Sequence, residues 1–266
     1  MTKKVLPVGV FDSGLGGLSA VREIRKAAPD EDIVYFGDTA RVPYGSRSPE
    51  TIIKYGCDDA GFLLKKGVRA LVVACGTVSS VALGVISERC DVPVVGVVDG
   101  AAKAAAEATR NGIIGVIGTT VTINNGSLER KTAEYAAAAG KSVRIVPRAC
   151  QLFVALVENG FIGRDSTLCK AAVREYLTPI KESGADTLIL GCTHFPIIAD
   201  VISDFLPGVT LINPSAEAVK ELYGRIPRAA GSGRTEYFVS DAPANFDMLA
   251  EIFLGKRIKA SIAEIK

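Results

Sequence analysis

Short apolar runs alternate with amphipathic segments along the chain, a pattern typical of α/β proteins. Apolar runs at residues 5–11 and 32–36, and a third that ends at Cys75, predict three buried strands. The spacing of apolar residues predicts a helix over residues 17–28, and a serine–proline pair at Ser48 opens a second helix. Because strand and helix alternate, we expect a mostly parallel sheet.

The same pattern begins again in the second half of the chain. Residues 114–119 resemble residues 8–13, and apolar runs at 142–146 and 187–190 correspond to the second and third strands. A repeat of this length indicates a duplicated domain rather than a solenoid. The predicted fold is therefore α/β with two pseudo-symmetric domains, each a mostly parallel sheet flanked by helices.

The segments after the second repeat complete the predicted layout. Residues 209–212 and 236–239 are predicted to form strands and residues 245–254 a helix, and we expect all three to return to the first domain. The second domain is then inserted into a discontinuous first one. The predicted first domain comprises residues 1–98 plus 212–266, and the second comprises residues 99–211.

Two cysteines occupy equivalent places in the two halves. Gly67 precedes Cys75 at the spacing with which Gly184 precedes Cys192, and an apolar run lies between them in each case. Open α/β sheets bind ligands at the carboxyl ends of their strands. We therefore expect two thiols to face one substrate from opposite sides of an interdomain cleft. Chemistry that needs an acid–base group on each face of a carbon suits this arrangement.

Each of these cysteines precedes a predicted helix start, where the helix dipole would lower the pKa of a thiol. A cysteine that ends a buried strand is commonly a small core residue, but two equivalent ones, each with a threonine nearby, favour a function. Cys57 falls on the apolar face of a helix, and Cys169 has no evident partner, so we interpret both as structural, along with Cys90.

Two further residues could assist the thiols. His194, the only histidine, could tune Cys192 or transfer protons near neutral pH. Asp12 begins a glycine-rich loop after the first strand, where it could act on a proton carried by Cys75 and where free N–H groups can hold a carboxylate. Glu158 falls in a predicted helix, where a solvated carboxylate is the default interpretation.

Two alternatives for these residues involve cofactors. The loop after Asp12 could bind a dinucleotide with Asp38 on the ribose, but Ser19 occupies the place of the third glycine in the usual fingerprint. Cys75, Cys192 and His194 could bind zinc, but no Cys-x-x-Cys or His-x-x-x-His pair anchors such a site. We therefore expect neither a metal nor any other cofactor.

Composition narrows the classes of partner and compartment. Of 266 residues, 31 are Lys or Arg and 29 are Asp or Glu, and they are spread along the chain, so nucleic acid is not an expected partner. No apolar stretch is long and uninterrupted enough to cross a bilayer, and the N-terminus lacks a signal-peptide cleavage site, so no membrane partner is expected either. We predict a cytoplasmic protein whose six cysteines are reduced.

Several motifs, in order along residues 12 to about 200, together resemble the glutamate racemases of the cofactor-independent aspartate/glutamate racemase superfamily. The ending Cys-Thr-His at Cys192 distinguishes them from the aspartate racemases. The motifs are Asp12-Ser13-Gly14-Leu15-Gly16-Gly17-Leu18, Pro43-Tyr44-Gly45, Ala74-Cys75, Thr77, Cys150 with Leu152-Phe153-Val154 and Leu156-Val157-Glu158, and Gly191-Cys192-Thr193-His194.

The resemblance implies an isomerase that interconverts L- and D-glutamate and supplies D-glutamate for peptidoglycan, and hence for cell-wall biogenesis and cell shape. It implies a homodimer of two-domain subunits, with glutamate as the small-molecule partner. It also implies that Cys75 and Cys192 are the acid–base pair and that Asp12 and His194 assist them. The residues expected to line the substrate site are Ser13, Pro43, Tyr44, Gly45, Gly76, Thr77, Thr119 and Thr193.

The chain departs from the family pattern at a few positions. Gly76 replaces a usual Asn, Gln151 and Ala155 each replace a usual Pro, and Asp99-Gly100 replaces a usual Glu-Pro. Gly76 removes an amide that would hold polar groups of the substrate. Two other functions therefore stay open: a related racemase or decarboxylase that acts on another small acid such as aspartate, and a binding protein with the same cleft and no catalysis.

Overall fold

Ten strands form the framework of the computed structural model, which describes residues 5–241 and 246–265. All the strand pairings within these residues are parallel. In chain order the strands are β1 (Val8–Asp12), β2 (Ile33–Gly37), β3 (Ala70–Val73), β4 (Val94–Gly96), β5 (Ile113–Gly118), β6 (Arg144–Ala149), β7 (Thr187–Leu190), β8 (Thr210–Ile212), β9 (Thr235–Val239) and β10 (Ser261–Ile262).

The strands form two sheets with the same internal order. One sheet runs β10-β9-β2-β1-β3-β4 and the other runs β6-β5-β7-β8. The series β2-β1-β3-β4 and β6-β5-β7-β8 match strand for strand, so the two halves are wound alike. This confirms the predicted α/β class and the duplication. β1 and β3 are buried along their whole length, as their apolar runs predict.

Helices cover the faces of both sheets. Two short 3₁₀ turns, at Tyr44–Ser46 and Phe195–Ile198, lie near the carboxyl ends of strands. The helices are α1 (Leu18–Ala27), α2 (Pro49–Lys65), α3 (Gly76–Val81), α4 (Leu83–Glu88), α5 (Asp99–Ala108), α6 (Thr120–Asn125), α7 (Ser127–Ala138), α8 (Leu152–Glu158), α9 (Thr167–Glu182), α10 (Ala199–Phe205), α11 (Pro214–Arg225) and α12 (Phe246–Leu254). None of the helices described here is long and apolar enough to cross a membrane.

Local sequence explains where several helices begin and end. α2 begins as predicted, because the Ser48 side chain accepts a hydrogen bond from the Thr51 amide (3.4 Å). The helices before β3 and β7 are followed by Gly67 (φ 73°) and Gly184 (φ 76°), which adopt the left-handed conformation that glycine tolerates best. The single helix predicted after Cys75 is instead divided at Ala82 into α3 and α4.

The chain returns to the first sheet later than predicted. β8 pairs with β7, so the expectation that residues 209–212 return to the first domain is wrong for this strand. β9 pairs with β2, and β10 extends the same edge, so the return occurs after α11. The predicted helix at 245–254 is present as α12, while position 245 lies outside the described residues. The division into residues 1–98 plus 212–266 and residues 99–211 stays a prediction.

A buried ion pair fixes the returning segment to the first sheet. Glu31, fully buried, accepts hydrogen bonds from Arg69 Nη2 at 2.7 and 2.9 Å. The Tyr223 hydroxyl at the end of α11 also donates to Glu31 (3.2 Å), and so does the Ala229 amide (3.4 Å). Arg69 Nη1 donates to the Pro227 carbonyl (3.1 Å). The carboxylate therefore joins the start of β2, the start of β3 and the chain beyond α11.

Removal of the cation from this pair should destabilise the protein strongly. We expect Arg69→Met to lower the free energy of unfolding by about 3 kcal/mol, because Glu31 would stay buried without its counter-charge. Urea denaturation followed by circular dichroism measures the change. The control is Arg110→Met at an exposed position, which should change the stability by less than about 0.5 kcal/mol. Equal effects of the two substitutions would contradict the importance of the pair.

Candidate active site

A cavity of about 330 Å³ lies where the carboxyl ends of the two sheets meet. β1 and β3 supply its lining from one side through Asp12 and Cys75, and β7 supplies it from the other through Cys192. All of the predicted site residues line this cavity: Asp12, Ser13, Pro43, Tyr44, Gly45, Cys75, Gly76, Thr77, Thr119, Cys192, Thr193 and His194. The lining also includes Gly14, Val42, Thr122, Gln151, Val154, Glu158 and Gly191, which were not predicted as site residues.

Cys75 is the N-cap of α3 and is 5% exposed. Burial, helped by the nearby charge of Asp12, raises the pKa of its thiol to about 12, although hydrogen bonds with Ser13 and Val78 act in the opposite direction. The thiol donates to Ser13 Oγ (3.5 Å). The expectation that a helix start lowers the pKa of Cys75 is therefore wrong, because desolvation outweighs the dipole of this six-residue helix.

Asp12, at the end of β1, presents a buried carboxyl group to the same cavity. Its Oδ2 accepts a hydrogen bond from the Gly14 amide (3.0 Å), while its Oδ1 is buried and has no partner among the residues described. Burial raises the pKa of Asp12, whereas His194 and the amides of Gly14 and Gly17 lower it. A buried oxygen without a partner is costly, so this atom is available to a substrate or to a transferred proton.

In the second half of the fold, Cys192 lines the same cavity and belongs to a chain of three side chains. His194 Nδ1 lies 3.7 Å from Cys192 Sγ, and His194 Nε2 lies 3.0 Å from Glu158 Oε1. Burial alone would lower the pKa of His194, but its hydrogen bonds to Cys192 and Glu158 and their charges raise it to about 10. These contacts favour the protonated imidazole, which links the Cys192 sulfur to the Glu158 carboxylate.

Glu158 is the residue that the sequence interpretation missed. It was interpreted as a solvated helical carboxylate, but it ends α8 with its side chain on His194 and at the edge of the cavity. Because the side chain is 44% exposed, part of it is solvated, as the sequence interpretation assumed, while the rest of it contacts His194. The only available sign in the sequence was its place in the motif that follows Cys150.

Tyr44 lines the cavity, but its hydroxyl group forms hydrogen bonds with carboxylates behind the cavity wall. Its hydroxyl is directed away from the cavity and donates to Asp38 and to Asp59 Oδ2 (3.1 Å). Arg41 forms ion pairs with both of these carboxylates, and Ser240 Oγ donates to Asp38 (2.7 Å). Asp38 is thus occupied by protein groups, which argues against a role for it on a ribose. The network fixes the wall formed by residues 43–45.

Threonine hydroxyls join the two halves inside the cavity. Thr77 Oγ1 lies 3.3 Å from Thr119 Oγ1, which in turn lies 3.0 Å from Thr122 Oγ1. Thr193 Oγ1 lies 3.3 Å from His194 Nδ1. No Lys or Arg appears in the lining that the described residues form. An acidic ligand must therefore be held by hydroxyls, backbone N–H groups and the imidazolium of His194.

The described residues offer no cluster of three or more His, Cys, Asp or Glu side chains placed to hold a metal ion. Cys75 and His194 are each engaged within their own half, with Ser13 and with Glu158 respectively. All six cysteines are free. Each half of the fold contributes a thiol and a carboxyl group to the lining, so both halves can exchange protons there.

Comparisons with known proteins decide the family. The model of the Asp/Glu/hydantoin racemase family matches residues 13–222. A glutamate racemase from Geobacter metallireducens is 42% identical, and the alignment covers 94% of this chain and 93% of that protein. The chain belongs to the glutamate racemase family. It is accordingly an isomerase of the amino-acid racemase class.

Solved structures of racemases resemble this fold over nearly its whole length. Glutamate racemase from Francisella tularensis, solved in complex with D-glutamate, has a TM-score of 0.87 at 32% identity and matches 98% of each chain. An isoform from Bacillus anthracis has a TM-score of 0.89 at 33% identity and matches 100% of this chain and 99% of its own. Both agree with the two-sheet architecture described above.

The link between Glu158 and His194 should be visible in the titration of the imidazole. Because His194 is the only histidine, its Cε1–H signal in an NMR spectrum is unambiguous. We expect the wild-type signal to titrate near pH 10, and Glu158→Gln to lower that pKa by at least about one unit through loss of a charged acceptor. Glu175→Gln, at an exposed position, is the control and should leave the titration unchanged. A wild-type titration near pH 6.5 would contradict the assignment.

Proposed function

We propose that the protein interconverts L- and D-glutamate, with Cys75 and Cys192 as its two acid–base groups. One observation carries the proposal: a single cavity is lined by one cysteine from each half of a duplicated fold, in a chain of the glutamate racemase family. The complex of the Francisella tularensis relative with D-glutamate supports glutamate as the ligand. The hydroxyl groups of Ser13, Thr77, Thr119 and Thr193 supply polar contacts around it.

The proposed reaction removes a proton from one face of the substrate Cα and adds a proton to the opposite face. One cysteine, as thiolate, removes the proton from Cα, and the electron pair of that C–H bond stays on the substrate as a carbanion. The other cysteine, as thiol, delivers its proton to the opposite face of Cα. The first sulfur then carries the proton and the second is the thiolate. The reverse reaction exchanges the two roles.

The lining supports this chemistry through preorganised dipoles. The Cα proton of an amino acid is weakly acidic, so the carbanion needs hydrogen-bond donors aimed at the carboxylate on which its charge is delocalised. With no Lys or Arg in the described lining, the donors are backbone N–H groups, the threonine hydroxyls and His194. Asp12, Cys75 and His194 are nearly inaccessible to water, and this low accessibility strengthens each of these contacts.

Each thiol has an assisting carboxyl group within reach. Cys75 is buried with a raised pKa, and Asp12 beside it offers the unpaired Oδ1 as a proton acceptor. Cys192 contacts His194, which is supported by Glu158. We therefore assign Asp12 to proton transfer at Cys75 and the His194–Glu158 pair to proton transfer at Cys192.

Separate replacement of the two cysteines tests the mechanism. Cys75→Ser and Cys192→Ser should each lower kcat for both enantiomers by about 10² to 10⁴, because a serine hydroxyl is a far weaker acid–base group at this position. Chiral chromatography measures racemisation, and NMR in D₂O measures deuterium uptake at Cα. The control, Cys57→Ser in α2, should retain activity.

The same assays distinguish the alternatives. Equal turnover of glutamate and aspartate by the wild-type protein would favour a racemase of broader substrate range, for which Gly76 is the motivating departure. A wild-type protein that binds glutamate without any Cα exchange would be a binding protein. Cysteine variants with full activity would contradict the two-thiol mechanism while leaving the racemase assignment intact.

We also propose that the product D-glutamate serves peptidoglycan synthesis, as the family resemblance implies. Expression of the wild-type chain should allow growth of a bacterial strain that requires external D-glutamate, in medium that lacks it. The doubly substituted Cys75→Ser, Cys192→Ser chain, expressed at the same level, should not. Growth with the double variant would contradict the link between this activity and the cell wall.

The resemblance further supports a homodimer in the cytoplasm. The free state of all six cysteines agrees with a reducing compartment. In that compartment the enzyme would meet its substrate glutamate directly.

A further inference from the structure

The two loops that carry the cysteines touch through their backbones. Gly76 follows Cys75, and Gly191 precedes Cys192. A Cβ atom built on Gly76 would lie 2.7 Å from the Gly191 carbonyl oxygen and 3.6 Å from its carbon. Real Cβ atoms essentially never approach another atom within 3.0 Å, so only glycine fits at position 76 in this geometry.

The backbone of Gly191 cannot move away from Gly76, because β5 lies directly behind it. The Gly191 amide donates to the Ile117 carbonyl in β5 (2.7 Å), and a Cβ on Gly191 would lie 2.5 Å from that same oxygen. The next amide, that of Cys192, donates to the Leu190 carbonyl (2.8 Å). The peptide of Gly191 is therefore enclosed between Gly76 and β5.

The Gly76 side is held equally firmly to the first sheet. The Ala74 amide donates to the Phe11 carbonyl in β1 (2.9 Å), and the Cys75 carbonyl accepts from the Ser79 amide (2.9 Å). Ser79 Oγ donates to the Val73 carbonyl (2.8 Å). An atom added at position 76 must therefore separate the two loops, since neither can bend away locally.

We propose that Gly76 is a positioning residue that sets the separation between Cys75 and Cys192. The inference rests on the proposed two-cysteine mechanism and extends it. The contact joins the neighbour of one sulfur-bearing residue to the neighbour of the other, so a change in its length is transmitted to both thiols. Gly76 touches no reacting atom in this role; it acts through the two cysteines.

Other contacts along the boundary between the two halves are also close. This boundary, the seam, brings Gly16, Gly76 and Thr77 of the first half against Thr119, Gly191, Thr193 and His194 of the second. Thr77, one residue further, meets Thr119 of the second half through their hydroxyls (3.3 Å). A Cβ on Gly16 would collide with the Thr193 side chain and would lie 2.6 Å from Cε1 of His194. The Gly76 contact is thus the backbone-to-backbone point of a seam whose other contacts involve side chains, which adapt more readily.

The isotope pattern of the reaction distinguishes positioning from general damage. After the first thiolate has taken the Cα proton, its S–H exchanges with D₂O. Return of deuterium from the same sulfur regenerates the starting enantiomer in labelled form, whereas delivery from the other sulfur gives the inverted enantiomer. A wider gap between the sulfurs impairs the second path more than the first. The ratio of exchange with retention to inversion should therefore rise.

The test compares three glycine substitutions. Gly76→Ala and Gly76→Asn place a Cβ in the seam, and the second also restores the amide that the family resemblance leads us to expect. Gly84→Ala, in the adjoining helix α4, is the matched control, because a Cβ there meets nothing within 4 Å. Circular dichroism and thermal denaturation establish the folding of each variant. Racemisation of both enantiomers and Cα exchange in D₂O are then measured.

We expect Gly76→Ala to fold, to lower kcat on the order of tenfold with a smaller change in KM, and to raise the retention-to-inversion ratio several-fold. Gly76→Asn should behave likewise, and Gly84→Ala should match the wild type. A racemisation rate in Gly76→Asn at or above that of the wild type would overturn the proposal. So would an equal fall in exchange and inversion, or a Gly76→Ala chain that does not fold. Absence of Cα exchange in the wild-type protein would instead refute the proposed function itself.

Discussion

The apposition of two sheet ends is the constraint on which the rest of this structure depends. Each sheet places a cysteine just beyond a central strand, where a lone α/β domain would expose it to solvent. The second half covers the site of the first, so that Cys75, Asp12 and His194 are all nearly inaccessible. The contact between the halves therefore contributes to the burial of these groups.

That burial controls the charges of the site. Desolvation raises the pKa of both Cys75 and Asp12, so a neutral thiol lies beside a carboxyl group that resists ionisation. On the other side, Glu158 is 44% exposed and remains in contact with water while it supports the buried His194. Around Cys75 and Asp12 the cavity therefore favours neutral groups, whereas around His194 it stabilises a cation.

The sequence predicted eight of the ten described strands, all except β4 and β10, and the paired cysteines, because these features depend on local pattern and repetition. β7 was predicted to the residue, and all twelve candidate site residues line the cavity. β4 and β10 are only three and two residues long, and the other misses concern tertiary contacts. No local pattern reveals that Glu158 at the end of α8 reaches His194, that the Tyr44 hydroxyl is directed to Asp38, or that β8 stays with the second sheet. The dipole argument for Cys75 failed for the same reason, since burial is not a local property.

The two halves are alike in fold but differ in chemistry at matching positions. Asp12 in the first half corresponds to Gly118 in the second, and Thr77 corresponds to His194. In the proposed mechanism one thiol would therefore be assisted directly by a carboxyl group and the other through an imidazole. This asymmetry cannot favour one product at equilibrium, because enantiomers have equal free energy in water. In a racemase kcat/KM must then be equal in both directions. Unequal assistance to the two sulfurs can therefore make kcat and KM differ between the two enantiomers, but the ratio kcat/KM must stay the same for both.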